Sequence, residues 1–291
     1  MYSQISSNKR KTFLLISIFV GIILGLGYVL GQTSGYGNEG ILIAVGISFL
    51  MTLISYYGGD KLALATSGAK KIEKTDNPYL WRIVENLSIA AGLPMPKLHI
   101  INDGAINAFA TGRDPSHASV AVTTGAIEKL ENEELEGVLA HELSHVKNYD
   151  IRVMTIVIVL VGTIALLSDW MFRAHFLMGR RDRDRGAHPI FLLIGLLLAI
   201  LTPLIAQLIQ LAVSRRREYL ADASGALLTR FPEGLARALE KINLEKKPLT
   251  RANTATAHLF ISNPFGASRL RTLFSTHPPI EERIKTLRQM A

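Results

Sequence analysis

The sequence has no cysteine and few charged or aromatic side chains, and each shortage narrows the class of protein. Without cysteine, the chain of 291 residues forms no disulfide and offers no thiolate, so any metal site has to use histidine and carboxylate ligands. Charged residues make up only 19% of the chain, against 48% apolar residues, and the mean hydropathy is +0.25. That balance is typical of a membrane protein.

The formal charge of +8 would by itself suit a protein that binds nucleic acid. No platform of aromatic and basic residues and no recognition motif accompanies it, so we predict no nucleic-acid partner. Basic residues beside membrane spans explain the excess more simply, because they fix topology and contact anionic lipid.

Four long, uncharged stretches predict four transmembrane helices. The first two, in residues 12–57, are separated by a short polar turn and predict an N-terminal hairpin. An uncleaved span is favoured over a signal peptide here, because the apolar run is long and no cleavage site follows it. The other two lie in residues 151–214, around an arginine-rich loop at 173–188, and predict a second hairpin.

The remaining residues predict a water-soluble α+β domain that the second hairpin divides into two parts. Residues 58–150 contain short strand-like stretches at 97–101, 106–111 and 118–124, together with amphipathic helices. Residues 215–291 have mainly helical patterns. We therefore predict a membrane α+β fold of four transmembrane helices and a mainly helical domain that contains a small β-sheet.

The stretch HELSH, at residues 141–145, lies in a segment with the apolar spacing of a helix. His141 and His145 are one turn apart, so both imidazoles lie on one helical face and can bind one metal ion. Glu142 would lie beside the open coordination position, where it can take a proton from activated water. The alternative is a surface helix with two solvated histidines, so the motif needs a third ligand and a suitable context.

Glu218, in RRREYLADA, is the candidate third ligand, because a catalytic zinc needs three ligands from the protein. Asp222 follows one turn later, where it can accept a hydrogen bond from a metal-binding histidine. If both segments of residues 151–214 cross the membrane, Glu218 returns to the side of the histidines. If only one crosses, about 30 Å of hydrocarbon separates them. The alternative is an interfacial carboxylate paired with a neighbouring arginine.

Basic residues before the first span, after the second and after the fourth all lie on one side of a four-span protein. The positive-inside rule makes that side cytoplasmic. The arginines of the 173–188 loop do not fit this rule, because a four-span topology places that loop outside the cytoplasm. A re-entrant second hairpin that does not cross the membrane therefore stays open as an alternative. We predict a multi-pass protein of the cell (inner) membrane whose active site faces the cytoplasm.

With HELSH, EYLAD, INAFATG and THPPIEERI, the chain resembles the HtpX family of membrane-embedded zinc metalloproteases. More distantly it is similar to the CAAX prenyl proteases, which share the gluzincin core. The resemblance extends over nearly the whole chain. It implies a zincin-type protease domain with one Zn²⁺ per subunit bound by His141, His145 and Glu218, and Glu142 as general base and acid. It also implies a role in membrane protein quality control under stress.

The predicted reaction is hydrolysis of peptide bonds by zinc-activated water. The resemblance implies that the substrates are misfolded or damaged membrane proteins. INAFATG would be an edge strand that pairs with an extended substrate through Asn107 and Ala108. His277, in THPP, would donate to the oxyanion. The alternatives are that Asn107 is a turn residue and that His277 caps the last helix.

Two further functions stay open at this point. One is a processing protease for lipidated or specific membrane peptides, and the other is a membrane scaffold with a structural zinc site. The expected partners are membrane-protein or peptide substrates and the lipid bilayer, and no sequence feature indicates an oligomeric state.

Overall fold

The computed structural model describes residues 2–33, 37–160, 215–245, 247–251, 256–265 and 278–290. Its helices are α1 (Tyr2–Thr33), α2 (Glu39–Thr66), α3 (Pro78–Ala91), α4 (Thr124–Lys129), α5 (Asn132–Lys147), α6 (150–160), α7 (Arg215–Thr229), α8 (Pro232–Glu245) and α9 (Ile280–Arg288). Its strands are β1 (Ala69–Lys71), β2 (Lys97–Ile101), β3 (Ala108–Gly112) and β4 (Ala118–Thr123). The described residues are thus mainly helical.

The four strands form one small mixed sheet in the order β1-β2-β4-β3. The outer pairs β1–β2 and β3–β4 are antiparallel, whereas β2 and β4 are parallel. β3 is consequently an edge strand, and its first residue, Ala108, lies opposite Val122.

Both faces of this sheet are covered, because alternate side chains of a strand point to opposite faces. Ala108 and Ala110 enter one hydrophobic core together with the inner faces of α3, α5, α8 and α9. Phe109 and Ala121 enter a second core, which contains side chains of α1, α2 and α6. The sheet therefore lies between the HELSH helix and the helices that belong to the predicted spans.

Helix α5 is at the centre of the domain and is buried on nearly every side. A reciprocal capping box begins it: the side chain of Glu131 bonds the backbone of Glu134, and the side chain of Glu134 accepts from Glu131 N at 2.8 Å. The buried Glu134 is also paired with Lys241 of α8, 2.7 Å away. This local chemistry fixes where α5 begins and ties its first turn to α8.

Two glycines let α5 lie unusually close to its neighbours. A Cβ on Gly137 would be 2.7 Å from the backbone nitrogen of Leu235 in α8. A Cβ on Gly225 of α7 would be 3.0 Å from the backbone nitrogen of His141. The second approach brings the helix that carries Glu218 against the helix that carries the histidines.

The observed elements agree with most of the sequence expectations and add two. β2 lies at the predicted 97–101, β4 ends one residue before the end of the predicted 118–124 strand, and β3 begins two residues later than the predicted 106–111 strand. β1 and α4 were not predicted, because three residues (AKK) and a six-residue helix are too short to show a period.

Within the described residues, one helical segment, Ile41–Thr66 of α2, is long and apolar enough to span a membrane. Its large side chains, such as Leu42 and Phe49, are exposed to the surroundings, as lipid-facing residues would be. The first predicted span lies within α1, which packs along α2. The arginine-rich loop and the last two predicted spans, apart from residues 151–160, lie outside the described residues. The structure therefore supports one span, and the other three stay predictions.

We expect Gly137→Ala to lower the free energy of unfolding by about 1–3 kcal/mol, because its Cβ meets backbone atoms that cannot rotate away. Alanine in a helix would otherwise stabilise the chain by roughly 1 kcal/mol. Gly58→Ala in α2, whose Cβ has no described atom within 4 Å, is the control and should not destabilise. Denaturant unfolding of the full chain in detergent measures both. Equal stability of the two variants would contradict the close crossing of α5 and α8.

Candidate metal centre

The structure brings the three predicted ligands together. His141 and His145 come from one face of α5, and Glu218 comes from the first turn of α7. All three side chains are buried. One ligand atom from each residue can be chosen so that the three atoms lie within 4.8 Å of one another. Residues more than 70 positions apart in the chain thus form one cluster.

The ligand atoms face a common point. The Nε2 atoms of His141 and His145 are 3.2 Å apart. The carboxylate oxygens of Glu218 lie 3.8 Å from Nε2 of His141 and 3.5 Å from Nε2 of His145. A cation at that point would have two nitrogens and one carboxylate around it.

The other nitrogen of each imidazole is held by a carboxylate. Nδ1 of His141 is 2.9 Å from Oδ1 of Asp222, and Nδ1 of His145 is 3.0 Å from Oδ2 of Asp150. A neutral imidazole in this position carries its proton on Nδ1, where the carboxylate accepts it, and leaves the lone pair on Nε2. Two lone pairs aimed at each other repel, so this arrangement fits a metal cation between them.

The charge balance around the cluster leads to the same conclusion. Four fully buried carboxylates surround the imidazoles: Glu142, Asp150, Glu218 and Asp222. Two buried guanidinium groups, those of Arg217 and Arg283, contact them. With both imidazoles neutral and all four carboxylates ionised, which is the protonation state that binds a metal, four negative and two positive groups leave two negative charges, and one divalent cation balances them. The residues present therefore fit a divalent metal.

Burial and neighbouring charges shift the titration of the site residues. Burial raises the pKa of Glu142 to about 8, with His145 opposing the shift and Glu218 adding to it. Burial disfavours the charged form of His145, yet its hydrogen bond to Asp150 and the charge of Glu218 outweigh burial and raise its pKa to about 9. The site thus favours positive charge next to Glu218, which is what a bound cation supplies.

Glu142 lies beside the ligands with its carboxylate against strand β3. Glu142 is buried, and burial is the largest effect on its pKa. The backbone N–H of Ala110 favours the ionised carboxylate, so this hydrogen bond lowers the pKa and partly opposes burial. Oε1 of Glu142 has no hydrogen-bond partner among the described residues. A buried carboxylate oxygen without a partner is costly, and its position next to His141 makes it available to a water or a substrate.

Asp222 itself is held by an arginine that the sequence analysis missed. Arg283 of α9 is fully buried, and it donates from Nη2 and Nε to the two oxygens of Asp222, at 2.7 and 2.9 Å. Its Nη1 lies 3.8 Å from Glu218. The sequence did contain a signal for this arginine, because Arg283 falls on the apolar face of an amphipathic helix. A charged side chain that is buried on such a face needs a partner of opposite charge.

Asp150, the partner of His145, is a second residue of the site that was not predicted; in the sequence it is the last residue of the first predicted soluble part. It follows His145 by five positions and begins α6. An acidic residue next to a long uncharged run was the available signal.

The predicted substrate residues lie at the edge of the sheet, but they are already bonded. The buried Asn107 accepts from Ala108 N at 3.1 Å and donates to the carbonyl of Ser262 at 3.3 Å. The carbonyl of Ala108, which points away from the sheet, accepts from Ile261 N at 3.0 Å. The chain's own backbone therefore occupies this part of the edge. His277, the predicted oxyanion donor, lies outside the described residues.

A helix bearing HExxH that is completed by a glutamate from a second helix defines a class of metallopeptidases. The family model of peptidase family M48 matches residues 74–291, and the chain belongs to that family. It is a metalloendopeptidase with a helix able to span a membrane.

The chain is similar to curated proteins over its whole length. A "Protease HtpX homolog" of Tropheryma whipplei (strain Twist) is 49% identical over 290 residues, which cover 100% of this chain and 98% of that protein. A "Protease HtpX homolog" of Dictyoglomus turgidum is 46% identical over 290 residues, which cover 99% and 94% of the two chains. Among solved structures, S. mikatae Ste24p matches with a TM-score of 0.49 and 18% identity over 99% of this chain and 66% of its own.

Arg283→Met should destabilise the full chain by about 3–5 kcal/mol, because it leaves the buried carboxylate of Asp222 without its positive partner. Arg283→Lys keeps the charge but loses the paired geometry, so its stability should lie between those of Arg283→Met and the parent. Arg288→Met on the same helix removes only exposed ion pairs with Glu233 and Glu240, and its stability should stay close to the parent's. Thermal unfolding ranks the variants. Similar losses for Arg283→Met and Arg288→Met would refute the importance of the buried pair.

Proposed function

We propose that this chain is a zinc-dependent endopeptidase of the cell membrane that hydrolyses peptide bonds in misfolded or damaged membrane proteins, as part of quality control under stress. The observation that carries the proposal is the pair of Nε2 atoms 3.2 Å apart, each in an imidazole whose Nδ1 faces a buried carboxylate. Glu218 faces both nitrogens.

Zinc is the metal that the donor set favours. Two imidazoles and one carboxylate, with no cysteine in the chain, match the three-ligand sets of catalytic zinc sites, which keep a further position open. A magnesium or calcium site would instead be built mainly from oxygen ligands. When bound, zinc polarises the scissile carbonyl and makes water more acidic.

Glu142 is the proposed general base and acid. Its carboxylate lies beside the proposed ligands, and Oε1 is buried with no partner among the described side chains and backbone. It would accept a proton from the attacking water and then donate it to the leaving amine. The Nδ1 partners Asp222 and Asp150 would hold the two imidazoles in the tautomer that this chemistry needs.

Substrate binding by strand addition to β3 is part of the proposal, with Asn107 and Ala108 as the contacting residues. Ile261 bonds the outward carbonyl of Ala108, so a peptide has to take its place or pair with the carbonyl of Ala110, whose N–H already bonds Glu142. His277 is the proposed oxyanion donor.

Glu142→Gln should lower kcat by about 10²–10⁴-fold, because the amide cannot accept the proton, while zinc content stays that of the parent. The measurement is cleavage of an unfolded membrane protein by the full chain in detergent, with metal analysis of the same samples. Glu133→Gln, an exposed position on the same helix, is the control. Removal of the metal by a chelator should stop cleavage, and one equivalent of zinc should restore it. Unchanged cleavage by Glu142→Gln would refute the enzymatic proposal.

We also propose a multi-pass topology with the metal centre on the cytoplasmic side. Its support is that Glu218 contacts the cluster of His141 and His145, as required if residues 151–214 return to the side that they left.

Reporter fusions in the 173–188 loop test this topology. A phosphatase that is active only outside the cytoplasm should be active at this loop, and a fluorescent protein that folds only inside should stay dark. A fusion after residue 291 is the control and should give the opposite pair of signals. The same cytoplasmic signals at both positions would indicate a re-entrant hairpin and contradict the four-span topology.

A further inference from the structure

The first turns of α1 reach the metal centre through one buried amide, that of Asn8. Its Nδ2 donates to Oδ1 of Asp150 at 2.7 Å and to the carbonyl of Asn148 at 2.8 Å. Its Oδ1 accepts from Nη1 of Arg217 at 3.2 Å. These partners lie 140 or more positions away in the chain, and only 1% of Asn8 is exposed.

The contacts of Asn8 fall on the residue that orients His145. Oδ2 of Asp150 faces Nδ1 of His145, whereas Oδ1 accepts from Asn8 and from Nη1 of Arg217, the latter at 3.0 Å. The two carboxylate oxygens of Asp150 therefore have different partners, one being the histidine and the other the two donors. The two donors on Oδ1 hold the carboxylate plane so that Oδ2 stays on His145.

We propose that Asn8 is a positioning residue of the metal centre, which holds His145 in its metal-binding orientation by fixing the carboxylate of Asp150. This inference rests on the proposed metal site and adds a part of the chain that precedes the first predicted span. The N-terminal helix is then both a membrane segment and a structural part of the centre.

The chemistry of the position favours asparagine. One short side chain has to donate to a carboxylate and accept from a guanidinium, and an amide does both. Asn8→Asp would place a second carboxylate oxygen 2.7 Å from Oδ1 of Asp150 and remove the donor. Asn8→Ala would remove a hydrogen bond from Asp150 and another from Arg217, in a place where water is excluded.

The test measures zinc release from the full chain in detergent, in a Glu142→Gln background, which under the proposed function removes proteolysis. A chelator in excess captures the zinc that dissociates, so the rate of release can be measured. Asn8→Ala should release zinc about 3- to 10-fold faster, less than the 10- to 100-fold loss of affinity typical when a direct partner of a ligand is removed. Asn8→Asp should release it faster still.

Thr12→Ala is the matched control. Thr12 lies one turn further along α1, is buried, and its hydroxyl has no hydrogen-bond partner within the described parts of the chain. Its truncation loosens the packing of α1 without touching the contacts of Asp150, so zinc release should stay close to the parent rate.

A double-mutant cycle separates positioning from packing. If Asn8 acts through Asp150, then Asn8→Ala should add little to the release rate of an Asp150→Asn variant. Equal release by Asn8→Ala and Thr12→Ala, or a full effect of Asn8→Ala in the Asp150→Asn background, would overturn the inference. A parent that retains no zinc would overturn the proposed function itself, and this outcome is distinguished before any variant is compared.

Discussion

Two imidazole nitrogens face each other at 3.2 Å in the centre of this protein, and the surrounding helices keep them there. Each ring is held from behind by a carboxylate, and each carboxylate is held in turn by a buried guanidinium, Arg283 for Asp222 and Arg217 for Asp150. Buried ion pairs of this kind add little net stability, because desolvation offsets the attraction. Their effect is orientation and a remaining negative charge, and both favour a divalent cation.

This constraint explains why segments from the whole chain converge on one place. Helices α1, α5, α6, α7 and α9 each contribute a buried polar side chain to the cluster or to its supports. A cation at the ligands would bind only when these helices are docked, so metal binding should stabilise the docked arrangement. Close crossings at Gly137 and Gly225 supply the short distances that the cluster needs.

The sequence predicted the parts of the site that follow from local periodicity. Residues one turn apart share a helical face, which places His141 with His145 and Glu218 with Asp222, and a topological requirement placed the two pairs together. Arg283 and Asn8 could not be paired in the same way, because their partners lie 61 and 142 positions away and no local period records such contacts. β1 was missed for a different reason: its three residues show no alternation.

The edge strand and the first histidine are not independent parts of this structure. Ile261 donates its N–H to the carbonyl of Ala108, and its own carbonyl accepts from Nη1 of Arg283 at 3.3 Å. Arg283 also donates to Asp222, and Asp222 contacts Nδ1 of His141. Hydrogen bonds therefore connect the outer edge of β3 to the metal centre. A peptide that pairs with β3 at Ala108 has to displace Ile261, and the guanidinium of Arg283 then loses an acceptor. Under the proposed strand addition, occupation of the edge strand would therefore affect the orientation of His141 through Arg283, by contacts that exist before any substrate binds.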